Sequence, residues 1–186
     1  MKKTILTILA ATAVSTGGLA GVAYAKSDDT AEIALFQKAQ HDIVAGIKAA
    51  ATASGGKAVG AEFEDEDGAP AWEVKTMTGT KYSKVTVDAA TGKVLKTREK
   101  SDKDAVTPEM LGAPLTDLAA KAAAAGEGKV MSIDADHEDG KFRGIEVEIV
   151  KADGSVQDFI LNAADGKLTP SMEGHDDDGE AGESND

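Results

Sequence analysis

The chain has 186 residues and no cysteine, and its 20 Lys and Arg against 33 Asp and Glu give a formal net charge of −13. The missing cysteines remove disulfides, thiolate metal sites, a cysteine nucleophile and a lipid-modified cysteine at the N-terminus. The acidic excess argues against nucleic acid as a partner, since phosphates are bound through clustered Lys and Arg, and aromatics at 4% are too sparse for a base-stacking platform.

Residues 1–25 have the layout of an export signal. Met1-Lys2-Lys3 supplies a positive start, Ile5 to Val14 an apolar stretch, and Ala23-Tyr24-Ala25 a small-x-small cleavage site. Thr12, Ser15, Thr16, Gly17 and Gly18 break the apolar run before it reaches the roughly 20 residues a membrane span needs. Cleavage after Ala25 would place the chain in a bacterial periplasm or outside the cell, with no membrane insertion afterwards. An exported chain without cysteine must be held together by packing alone.

From Asp29 onwards, Asp29 and Glu32 form a helix-start pair, and Ile33, Phe36, Gln40, Ile43 and Ile47 fall at helical spacing with one polar interruption. Ser54-Gly55-Gly56 predicts the end of that helix, because glycine accepts the left-handed conformation just past a helix C-terminus. Strands follow with a period of two: Val59, Ala61 and Phe63 against Gly60, Glu62 and Glu64, then Trp72 and Val74 against Glu73 and Lys75. A second helix is expected from about Thr116 to Ala125, after the interruption at Gly112-Ala113-Pro114, with an apolar face of only Leu115, Leu118 and alanines. Ile145, Val147 and Ile149 then alternate with Glu146 and Glu148. Asp67-Gly68, Thr78-Gly79, Thr91-Gly92, Asp139-Gly140, Asp153-Gly154 and Asp165-Gly166 mark tight turns. One dry and one wet strand face fits an antiparallel sheet with a helix on one side.

The same order occurs twice. Gly56-Lys57 returns as Gly128-Lys129 and Asp67-Gly68 as Asp139-Gly140, both 72 residues on; Val87-Asp88-Ala89-Ala90-Thr91-Gly92-Lys93-Val94 meets Leu161-Asn162-Ala163-Ala164-Asp165-Gly166-Lys167-Leu168 at 74. The drift in offset reads as one-residue insertions in loops. The expected fold is α+β: two tandem units, each a helix packed on a three- to four-stranded antiparallel sheet, over residues 26–100 and 101–170. Residues 171–186 carry seven acids and no Lys or Arg, which predicts a disordered acidic tail.

No catalytic pattern stands out. The histidines are His41, His137 and His175, and there is no Gly-x-Ser-x-Gly, His-Glu-x-x-His or phosphate-binding glycine loop. Glu62 to Gly68 and Asp134 to Gly140 begin like helix-loop-helix calcium loops, but both place glycine seventh where such a loop needs it sixth, and the second has Ile145 where the closing glutamate belongs. The reading is therefore no enzyme, no cofactor and no specific metal site, with weak divalent-cation association at the acidic loops and tail.

A helix ending in glycine, a strand, an Asp-Gly turn, a strand carrying Trp72-Glu73-Val74, a further strand, and Val87-Asp88-Ala89-Ala90-Thr91-Gly92-Lys93-Val94 together resemble the PepSY domain. Residues 40–97 carry the resemblance, and 115–169 resemble a more divergent copy, with Asn162 in place of the aspartate and Asp165 in place of the threonine. The motif residues are Trp72, Glu73, Val74, Asp88, Thr91, Gly92 and Lys93, and in the second copy Asn162, Gly166 and Lys167, all with structural roles. Asp88 and Thr91 can bond nearby backbone donors while Gly92 turns the chain. The resemblance implies an exported setting and a role in binding or restraining a peptidase or another envelope or secreted protein. The alternative is an acidic periplasmic protein that binds or buffers divalent cations.

Overall fold

The computed structural model of the protein describes residues 29–100, 106–138 and 141–171. The expected export signal and acidic tail, and the side chains of His137 and His175, lie outside the described residues. In chain order the elements are α1 (Asp29–Phe36), α2 (Ile43–Ser54), β1 (Lys57–Glu66), β2 (Ala69–Thr78), β3 (Lys81–Asp88), β4 (Val94–Lys100), α3 (Leu115–Gly126), β5 (Lys129–Glu138), β6 (Lys141–Val150), β7 (Val156–Leu161) and β8 (Leu168–Pro170). The architecture is α+β. Among the described residues no helix is long and apolar enough to cross a membrane.

The run expected as one helix from Asp29 is two. Asp42 ends the connection between them: its backbone is extended and its carboxylate accepts a hydrogen bond from the Ala45 N–H at 2.9 Å, which caps α2. The N–H groups of Gln40 and His41 both donate to the Ala89 carbonyl, at 3.2 and 2.9 Å, so the break is tied to the end of β3. Helix α2 ends where the glycines predict, with Gly55 left-handed at φ 67° and its N–H on the Ala51 carbonyl. Helix α3 has weaker ends. Pro114 at its start offers no side-chain acceptor, and Glu127 at its end holds φ 52°, a region costly for a residue with a Cβ. The Lys151 ammonium donates to the Gly126 carbonyl and satisfies one of the last free acceptors.

All eight strands join one antiparallel sheet in the order β4-β3-β2-β1-β5-β6-β7-β8. The two runs of four strands, expected as separate sheets, meet where Ala61 pairs with Ile133 and Glu62 with Ser132. A single core follows from this join. Ile43 and Ile47 of α2, Leu115 and Leu118 of α3, Trp72, Val85, Ile133, Val147 and Ile149 belong to one buried cluster. A bulge interrupts β1 between Ala58 and Gly60, and β5 carries one at the matching place, between Val130 and Ser132.

Packing on the first run centres on Trp72, which is fully buried and meets Phe36 and Phe63 edge-on at centroid distances of 6.0 and 5.5 Å. Helix α2 lies so close to the indole that a Cβ at Gly46 would stand 2.7 Å from its Cγ. Glycine is therefore required at that crossing.

Candidate functional site

The motif residues form two turns and one strand. Between β3 and β4 the Asp88 carboxylate accepts from the N–H groups of Ala90 and Thr91, at 2.8 and 2.9 Å. The Gly92 N–H donates to the Asp88 carbonyl, the Asp88 N–H donates to the Lys93 carbonyl, and Gly92 takes φ 70°. Between β7 and β8 the Asn162 side-chain oxygen accepts from the Ala164 N–H at 2.9 Å, Gly166 donates to the Asn162 carbonyl, Asn162 donates to the Lys167 carbonyl, and Gly166 takes φ 73°. The backbone bonds are the same in both turns; the side-chain bonds differ, since Asn162 takes one N–H where Asp88 takes two, while the Lys167 N–H donates to the Asp165 carboxylate at 2.9 Å. Hydrogen bonds from Thr91 first, then Ala90, hold the Asp88 carboxyl below its ordinary range. Gly92 faces the His41 ring, which an added Cβ would meet at 3.3 Å. His41 thus serves as packing for the turn.

On β2, Trp72 and Val74 point into the core and Glu73 to the opposite face, as the alternation requires. The Trp72 indole N–H donates to the His41 carbonyl at 3.0 Å. The sequence gives no hint of this bond, which spans 31 residues. Between the α1–α2 connection and α3 lies an open cleft of about 720 Å³, bordered by Phe36, His41, Ile43, Trp72, Ala119 and Val130.

The sheet face turned away from the helices is charged. Register places Glu62, Glu73, Asp134, Glu146 and Glu148 there, with Lys75 and Lys84 among them. Lys75 donates to Asp134 at 2.9 Å and stands 3.8 Å from Glu62, so one lysine ties β2 to β1 and β5 across the join; Lys75 and Asp134 side chains are each 24% exposed. Gly60 makes room for this contact, since a Cβ there would collide with the Asp134 carboxylate. Burial pushes Asp134 above the usual carboxylate range against the pull of Lys75, and burial raises Glu62 in the same way. For Lys75, burial opposes the charge, but attraction and hydrogen bonding from Asp134, with Glu62, leave its pKa raised. Residues 60, 75 and 134 are too far apart in sequence for spacing to reveal the network.

Carboxylate oxygens of Glu62, Glu64 and Glu73 come within 4.8 Å of one another. Glu73 is paired with Lys84, and Glu62 lies near Lys75. Two of the three charges are thus already offset by lysines, which weakens the trio as a cation site. The stretch from Glu62, which begins like a calcium loop in sequence, is strand up to Glu66, where Glu62, Glu64 and Glu66 alternate onto one face of the sheet rather than wrapping around an ion.

The outer edges of the sheet are β4 and β8. They differ in length, seven residues against three. Val94 and Leu95 on β4 are 39% and 57% exposed, large apolar side chains in solvent at an unpaired strand edge.

Residues 46–98 match the family model of the PepSY domain, described as peptidase propeptide and YPEB domain. The match runs from within α2 through β1, β2 and β3 and ends in β4. Among solved structures, one of a candidate lipoprotein from Clostridium difficile 630 is similar at 15% identity, covering 63% of this chain and 82% of that one, with a TM-score of 0.34. No curated protein matches the chain.

Proposed function

We propose that this chain is an exported, non-enzymatic protein-binding module that binds or restrains a peptidase or another envelope protein. The observation that carries this reading is the match of residues 46–98 to a family described by its place in peptidase propeptides. The matched span closes on β4, the longer of the two unpaired strand edges. Strand addition at such an edge takes its affinity from backbone hydrogen bonds and needs no catalytic side chain.

Residues 101–170 serve, in this reading, as a second and more divergent PepSY-like domain. Support comes from the repeated order of a helix and four strands, the bulges at matching places and the shared bonding of the two turns. The first domain, residues 26–100, then presents the working edge, and the second completes the sheet on the other side. The residues before Lys26 act as the export signal.

The experiment is an inhibition assay. The purified chain is added to peptidases secreted by the same cells, and hydrolysis of a protein substrate is followed. The expected result is a saturable loss of activity, relieved when Leu95 and Thr97 are both replaced by proline, which removes backbone donors from the edge. Unchanged hydrolysis, with no complex detected by gel filtration of the mixture, would overturn the reading.

A further inference from the structure

The edge strand β4 also carries a charge pattern that selects its occupant. In an acidic chain, Lys57, Lys75, Lys81 and Lys84 each sit within ion-pair distance of a carboxylate. Lys96 and Arg98 have no ion pair among the described residues. Register sets them opposite Thr86 and Lys84, on the sheet face turned from the helices, two residues apart along the free edge. Arg98 is exposed and Lys96 half-buried. A strand added there presents its own alternate residues to the same face. Complementary charge at that spacing is an acid, any residue, and an acid.

The chain contains that pattern in its acidic C-terminal segment: Asp176-Asp177-Asp178. Laid antiparallel on β4, Asp176 faces Arg98, Asp178 faces Lys96, and Asp177 falls beside Thr97 on the other face, clear of Glu99, which is held by Lys81 at 3.4 Å. The arrangement excludes a molecule's own segment. The Ser171 N–H is bonded to Asp158 of β7, so the segment departs from the β8 end of the sheet. Seven strand spacings separate β8 from β4, about 34 Å along the sheet at roughly 4.8 Å each, whereas the five residues from 172 to 176 span at most about 18 Å. We infer that the acidic segment of one copy adds as an extra strand to β4 of a second copy, with Asp176 and Asp178 against Arg98 and Lys96. This rests on the same open edge as the proposed function. The contact is head-to-tail, and it caps the edge that a peptidase would otherwise reach. Exposed ion pairs contribute little singly, so the pairing is weak, sensitive to salt and governed by concentration.

The test is sedimentation velocity of the purified full chain at rising concentration in low salt. Association that grows with concentration is expected, with at least a tenfold loss of affinity in Asp176→Lys/Asp178→Lys. The same loss is expected in Lys96→Glu/Arg98→Glu, and mixing the two variants should restore association, because each edge then meets a segment of opposite charge on the other variant. A chain that stays monomeric at every concentration, or association indifferent to both variants, overturns the inference. So does a mixture of the two that fails to associate. Each of these results leaves peptidase inhibition by the monomer to stand or fall in its own assay.

Discussion

Trp72 and Ile145 occupy matching places on β2 and β6, and the helices above them answer differently. In the first half, a large indole is accommodated by Gly46 of α2; in the second, Leu118 stands at the matching place of α3 and the smaller Ile145 at the matching place of β6, both in the same buried cluster. The sum of large and small is kept while its distribution is reversed, as close packing demands. The helix ends differ too: α2 has an aspartate cap and a glycine stop, α3 a proline start and a left-handed glutamate. One sheet therefore joins a half built around an aromatic cluster and sound caps to a half built from aliphatics and alanines.

The largest expected effect is at the aromatic cluster. Trp72→Ala should cost about 3–5 kcal/mol in denaturant unfolding, more than Ile145→Ala, because it also removes the contacts with Phe36 and Phe63. Equal costs would erase the distinction between the halves. Gly46→Leu alone should also destabilise, by about 1–3 kcal/mol or more through overpacking. Combined with Trp72→Ile, it imports the second half's arrangement into the first, and a double-mutant cycle should recover part of the loss.

Next comes the join. Asp134→Ala leaves Lys75 half-buried with Glu62 as its remaining close partner, at an expected cost of about 1–3 kcal/mol. The pH dependence follows from the directions of the shifts. Asp134 and Glu62 are raised in the folded chain, so their contribution to stability falls as pH rises from the ordinary carboxylate value through the raised one. Lys75→Met removes the attraction that lowers Asp134, and carboxyl NMR should then find its midpoint higher still.

The smallest effects separate the two turns. Asp88→Ala should cost about 1 kcal/mol, and Asn162→Ala less, since Asn162 satisfies one N–H where Asp88 satisfies two. Asp88 is lowered, so its contribution is present above the ordinary carboxylate value and is lost as pH falls through its folded pKa. Asn162 does not titrate. Acidification should therefore lower the protection of the Thr91 amide, its exchange measured against the intrinsic rate at the same pH, and leave the protection of Ala164 unchanged, read by NMR.

Strand alternation and hairpin turns were legible because both are local: a period of two, and glycines where φ is positive. The turn at Asp88 was legible for the same reason, its partners lying two and three residues away. The split between α1 and α2 is not legible in sequence because Asp42 sits inside an apolar pattern that continues across it, and the bonds to Ala89 that fix the break come from far along the chain. The fusion into one sheet was hidden by the same distance. Nothing near Ala61 or Ile133 records their pairing, and the glycine that makes it possible at position 60 reads in sequence as a gap on the wet face.

The ends of the sheet bring the comparison back to function. Strand β4 offers a long edge with exposed Leu95, and β8 a short one with Thr169. A photo-activated cross-linker placed in turn at positions 95 and 169, in cells exporting the chain, tests which edge binds. An adduct with a peptidase or another envelope protein is expected from position 95 and none from 169; adducts from 169 alone, or equally from both, would contradict binding at the β4 edge.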